Sequence, residues 1–223
     1  MSALAAVLFD MDGTLVDTET LWWAATEEVA ARIGHRLTAA DAPEVVGRAV
    51  EDTAAHLVRL TGTAVGVATA LTTAFQERVD RGAPLRPGAG RLLAELAAEG
   101  VPFALVSASP RSVVDSVIGG ALADVPFAFT LSADDTVRTK PHPDPYRAAA
   151  RRFGVPGAAC VAVEDSPDGA ASADAAGCTV LVVPSLLPVP ARPGRIFADS
   201  LEEVSLADLR RWIADGATAS GPV

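Results

Sequence analysis

Residues 5–17, reading AAVLFDMDGTLVD, constrain this chain more than any other stretch. Positions 5–9 form an unbroken apolar run, as expected of a strand buried on both faces of a parallel sheet. The run stops at two carboxylates, Asp10 and Asp12, and Gly13 and Thr14 turn the chain directly after them. Two acids one residue apart at the end of a buried strand repel each other unless something compensates them. A divalent cation does so. So does a division of labour in which one acid stays ionised while the other holds a proton.

Further apolar, strand-like runs follow at 101–106, 127–131, 160–163, 179–183 and 196–198. Helical stretches alternate with them at 90–99, 109–117, 145–153 and 167–176, three of these ending at Gly100, Gly154 and Gly177. Short connections between alternating strands and helices predict an α/β fold, a doubly wound, Rossmann-like parallel sheet. Ligands of such sheets bind beyond the carboxyl ends of the strands. Asp10, Ser107 and the pair Glu164-Asp165 each close an apolar run, and Lys140 stands in a loop between two of them, so one cleft is expected to collect all five.

The first two strand-like runs are separated by an insert with no strand pattern, whose helical periodicity covers 20–33, 50–60 and 65–81. Breakers Pro84, Pro87 and Gly88 close it. The expected organisation is a core of 1–15 and 86–215, a helical insert at 16–85 and a disordered tail at 216–223.

The pattern DxDGTxxD, followed in order by Ser107, Lys140 and Glu164-Asp165, resembles the signature of the haloacid dehalogenase-like (HAD) hydrolases. The insert resembles the helical cap of the β-phosphoglucomutase-like and sugar-phosphatase-like branch. That resemblance implies an Mg²⁺-dependent phosphoric monoester hydrolase acting on a small phosphorylated metabolite, a sugar phosphate, through an aspartyl-phosphate. Asp10 would be the nucleophile and Asp12 the acid and base. Ser107 and the backbone N–H of Ala108 would bind phosphate oxygens, and Lys140 would hold nucleophile and phosphate together. Asp10, Asp165 and the backbone carbonyl of Asp12 would ligate Mg²⁺, with Glu164 binding directly or through water. Zn²⁺ is disfavoured because no His/Cys cluster has ligand spacing.

Two insert residues have two readings each. Glu19 is either an acid facing the leaving group or the first-turn acid of a helix, and Arg48 either reaches a distal phosphate or is solvated. A β-phosphoglucomutase-type phosphoryl transfer is the alternative activity, but related mutases carry His where this chain has Trp22 and Lys roughly where it has Gln76. Haloacid dehalogenases lack the second acid, which Asp12 supplies here. A non-catalytic phosphate-binding protein is the third reading, disfavoured because no essential residue is lost.

A net charge of −10 disfavours nucleic-acid binding. Half the residues are hydrophobic and 5% are aromatic, so the core must be aliphatic and rich in alanine. Cys160 and Cys178 read as buried free thiols. His35 and His56 read as surface residues of the insert and His142 as a loop residue. The sequence has no basic, cleavable leader and no apolar run approaching ~18 residues, so a cytoplasmic enzyme without membrane contact is expected, monomeric or weakly self-associating.

Overall fold

Strands of a parallel sheet must be apolar on both faces, and here the alternation of side chains sorts two cores. Val7, Phe9, Leu105, Val161, Val163 and Leu181 point to one side, and Ala6, Leu8, Ala104, Val106, Ala162 and Val180 to the other. The computed structural model describes residues 3–48 and 50–219, with side chains to 215. Its elements in chain order are β1 (Ala6–Phe9), α1 (Thr18–Arg32), α2 (Ala42–Val45), α3 (Val50–Thr61), α4 (Val67–Arg81), α5 (Ala89–Ala98), β2 (Phe103–Val106), α6 (Arg111–Gly119) and β3 (Thr130–Leu131). The chain continues through α7 (Asp144–Phe153), β4 (Cys160–Glu164), α8 (Pro167–Ala175), β5 (Thr179–Val182), β6 (Arg195–Phe197) and α9 (Leu206–Ala219).

The six strands form one parallel sheet in the order β3-β2-β1-β4-β5-β6. This is the doubly wound, Rossmann-like α/β fold expected. Helices α5, α6 and α9 cover one face with Leu92, Leu96, Val114, Leu209 and Ile213. Helices α7 and α8 cover the other with Tyr146, Ala149, Ala170 and Ala173. Each buried Leu or Phe contributes about 1.5–3 kcal/mol over the exposed state. The order reverses at β1, whose neighbours are β2 and β4, and a crevice opens beyond the carboxyl ends at that switch point.

Helices α1 to α4, which follow β1 and precede α5, share a separate apolar cluster of Trp22, Val29, Val45, Leu57 and Leu71. Phe75 packs against both this cluster and the core of the sheet. The two chain segments joining insert to sheet meet as an antiparallel bridge, Val16 to Leu85.

Several element ends differ from the sequence reading. Helix α1 starts at Thr18 because Asp17 caps it, its carboxylate accepting from the Thr20 N–H at 3.1 Å. Helix α6 starts at Arg111, since Pro110 is extended. Strand β2 starts after Pro102, which has no N–H to donate. Helix α9 has no counterpart in the reading and continues through Gly216 to Ala219, into the segment read as a disordered tail. It is held by Leu206, Leu209 and Ile213 and begins with Ser205 and Asp208 bonded to each other's backbone N–H. Residues 220–223 of that expected tail lie outside the described residues. No helix among the described residues is long and apolar enough to cross a membrane.

Candidate active site

Asp10 leaves the end of β1 with 5% of its surface exposed. Its Oδ1 lies 2.6 Å from the Lys140 ammonium, and its buried Oδ2 has no hydrogen-bond partner among the described residues. Lys140 also reaches Glu164 Oε1 at 2.7 Å, so one ammonium bridges two carboxylates from neighbouring strands. Burial alone would lower its pKa, but Asp10 and Glu164 outweigh that and hold it above the ordinary lysine value. Glu164, fully buried, accepts a short hydrogen bond from the Tyr146 hydroxyl and a second from Ser166 Oγ at 3.3 Å. Burial pushes the Glu164 carboxyl up to about 7 against the pull of Lys140. Gly169 packs so tightly on this carboxylate that a Cβ there would overlap it.

Asp12 occupies a different environment two residues on. Its Oδ2 accepts from Ser107 Oγ at 3.0 Å and Ser109 Oγ at 2.8 Å, and its Oδ1 from Thr18 Oγ1 at 2.8 Å. Burial first, then the charge of Asp10, raises its pKa, and the three hydroxyls only partly offset this. The two acids are therefore differentiated, one paired with a cation and the other desolvated among neutral donors.

Asp165 leaves the end of β4 beside Asp10. Its Oδ2 accepts a short hydrogen bond from Ser185 Oγ, and burial with the charges of Asp10 and Glu164 pushes its carboxyl up to about 8. Gly13, at φ +78°, lies where any Cβ would overlap Asp165, so glycine is required for backbone conformation and for space. One oxygen from each of Asp10, Glu164 and Asp165 falls within 4.8 Å of the others. Three carboxylates against one ammonium leave excess negative charge, and the unpartnered Asp10 Oδ2 is a free acceptor. This hard, all-oxygen donor set fits Mg²⁺.

Asp10, Asp12, Lys140, Asp165 and Ala108 line one cleft together with Glu19 and Arg48. Ser107 and Glu164 are fully buried behind it. One Glu19 carboxylate oxygen, Oε2, is buried without a hydrogen-bond partner among the described residues, and burial followed by the charge of Asp12 raises the Glu19 pKa against the pull of the Gly47 N–H. Arg48 is exposed and its Nε donates to the Pro43 carbonyl at 3.0 Å. Trp22 and Gln76 also line the cleft. The Trp22 indole N–H donates to the Val45 carbonyl at 2.9 Å, and Gln76 Nε2 to Ser116 Oγ at 2.7 Å.

The sequence reading missed Tyr146, Thr18, Ser109 and Ser185. Tyr146 carried a signal, being the only tyrosine of the chain and placed in a helix that must be buried, where its hydroxyl needs a partner. His35 and His56, read as surface residues, are part-buried: both reach Asp41 Oδ1, at 3.2 and 2.9 Å, in one cluster of the insert. His142 lies beside Asp144 at 3.1 Å. Cys160 is buried and Cys178 half-buried, both as free thiols.

This cleft at the switch point, with its acids at the ends of β1 and β4, defines a hydrolase of a known class. The family model described as haloacid dehalogenase-like hydrolase matches residues 4–177, and the chain belongs to that family. It is 35% identical over 192 residues to the probable pseudouridine-5′-phosphatase of Drosophila melanogaster, covering 79% of this chain and 80% of that protein. It is 34% identical over 188 residues to hexitol phosphatase A of Escherichia coli, covering 79% of this chain and 81% of that protein. Among solved structures, CbbY of Rhodobacter sphaeroides in complex with phosphate superposes with a TM-score of 0.76 at 28% identity, over 92% of this chain and 99% of that one.

Proposed function

We propose that this chain is an Mg²⁺-dependent phosphatase that hydrolyses a small sugar phosphate through an aspartyl-phosphate on Asp10. The observation that carries the reading is the pairing of Asp10 with Asp12. Asp10 has one oxygen on Lys140 and the other unpartnered, while Asp12 is a desolvated acid held by three hydroxyls. Relatives acting on phosphate esters support it.

Asp10, Asp165 and the Asp12 carbonyl would hold the ion, with Glu164 behind them. When bound, Mg²⁺ neutralises the carboxylates and the phosphate so that a charged nucleophile can approach a charged ester. Asp10 attacks phosphorus in line, the ester P–O bond breaks, and Asp12 gives its proton to the departing oxygen. Asp12 then takes a proton from the water that attacks the aspartyl-phosphate, and phosphate and Asp10 are regenerated. The raised pKa of Asp12 suits both halves, since an ordinary Asp would be ionised before the leaving oxygen needed its proton. Lys140 holds Asp10 in place, and Ser107 and the Ala108 N–H sit beside the phosphate position.

The helical segment 16–85 acts as the cap that sets substrate choice, hinged where Val16 meets Leu85. Hydrolysis is favoured over a mutase because Trp22 can neither accept nor give a proton, and its N–H is already bonded to Val45. The test is phosphate release from a panel of phosphorylated metabolites with Mg²⁺ and with excess chelator. Release that depends on Mg²⁺ is expected. Undiminished release in chelator, or conversion of glucose 1-phosphate to glucose 6-phosphate with little free phosphate, contradicts the reading.

A further inference from the structure

The clustered carboxylates of Asp10, Glu164 and Asp165 differ in what fixes their orientation. Asp10 is held by Lys140, and Glu164 by Lys140, Tyr146 and Ser166. Lys140 pairs with those two acids, and no ion pair to Asp165 forms among the described residues. Asp165 is buried all the same, and its Oδ2 accepts a short hydrogen bond from Ser185 Oγ. A Cβ on Gly13 would overlap that oxygen and stand 2.9 Å from the Ser185 hydroxyl. Oδ2 is therefore confined between the glycine backbone and the serine.

A stiff segment delivers the hydroxyl. Val182 stands opposite Glu164 in the β4–β5 register, and the Val183 N–H donates to the Glu164 carbonyl at 2.8 Å, which anchors the chain just before Ser185. Pro184 and Pro188 bracket the next three residues and fix φ at both ends. Beyond them Val189 is buried in a core of the sheet, and Leu187 rests against Gly47 of the insert. A carboxylate loses rotational freedom when a preorganised donor holds one of its oxygens. Outer partners of this kind orient metal ligands, and their removal typically costs 10–100-fold in metal affinity.

From these contacts we infer that Ser185 is a positioning residue for the divalent ion. Its hydroxyl holds Asp165 Oδ2 and so reserves the other carboxylate oxygen for the metal. This assignment rests on the Mg²⁺ reading above and adds to it a residue outside the signature positions, from a loop that no motif marks.

Metal binding without any ester present tests this apart from turnover. Mn²⁺ suits the same oxygen ligands as Mg²⁺, and its free ion is counted by electron spin resonance as the full-length protein is titrated. Ser185→Ala should weaken Mn²⁺ binding about tenfold. Ser185→Thr keeps the hydroxyl and should stay near the parent value. Leu187→Ala, two residues along the same loop, loosens the contact with Gly47 but spares the hydroxyl, so it too should stay near the parent. Parent-like affinity in Ser185→Ala would overturn the inference and leave the Mg²⁺ reading standing. A loss in Leu187→Ala equal to that in Ser185→Ala would also overturn it, since packing of the loop and not the hydroxyl would then be responsible. A parent protein that takes up no Mn²⁺ would contradict both.

Discussion

The ammonium of Lys140 lies 2.6 Å from Asp10 and 2.7 Å from Glu164, with the Tyr146 ring 5.2 Å away. One buried cation thus ties the end of β1 to the end of β4. The strand ends present three carboxylates to one another, and this bridge makes the arrangement tolerable before any ion or phosphate is present.

Replacing Lys140 by Met should leave Asp10 and Glu164 facing each other and remove the cation that holds the proposed nucleophile. Phosphate release should fall by about 10²–10³-fold. Lys140→Arg should not restore it, because a planar fork cannot replace a compact charge between two carboxylates. Steady-state assays of both variants check this, and near-normal rates in either would argue against the bridge.

Tyr146→Phe removes only a hydroxyl, but it leaves buried Glu164 short of a donor. The expected loss is about 1–3 kcal/mol of stability, read as a lower urea midpoint at unchanged slope. An unchanged midpoint would show that Glu164 does not depend on Tyr146.

Asp41 organises the insert. Burial would raise its pKa, but hydrogen bonds from His56, from the Thr38 N–H and hydroxyl, and from His35 outweigh it and hold the carboxyl well below the usual range. A depressed folded-state pKa contributes stability that is fully present above the unfolded value of 3.8 and is lost as pH falls through the folded one. Asp41→Ala should therefore cost roughly 1–3 kcal/mol at pH 7, and the gap between variant and parent should narrow as the pH drops below 3.8. Urea unfolding at both ends of that range checks the sign, and a gap that widens in acid would reverse it.

The strands and the order of the main acids are legible in the sequence because each is a local event. An apolar run ending in a polar side chain reads the same in the sequence as in the folded chain, and Asp10, Ser107 and Glu164-Asp165 are all of this kind. Residues that act across elements leave no such trace. Ser185 follows an ordinary strand and becomes relevant only because β5 lies beside β4 and brings its hydroxyl to Asp165. His35, Asp41 and His56 are spread over three segments that only the packing of the insert unites. Helix α9 is different: Ser205, Asp208 and the Leu206, Leu209, Ile213 spacing are a readable helix signal that the sequence reading passed over.

In the proposed mechanism Asp10 carries the phosphoryl group and Asp12 governs its release. The most direct measurement is acid quenching of the Asp12→Asn protein after brief exposure to Mg²⁺ and an activated ester such as p-nitrophenyl phosphate, followed by peptide mass spectrometry. A good leaving group needs no proton from residue 12, whereas water needs a base there. One phosphoryl group is expected on the peptide containing Asp10, decaying more slowly than in the parent enzyme, and none in Asp10→Asn. A label on any other residue, or a parent enzyme that releases phosphate while Asp12→Asn never becomes labelled, would contradict it.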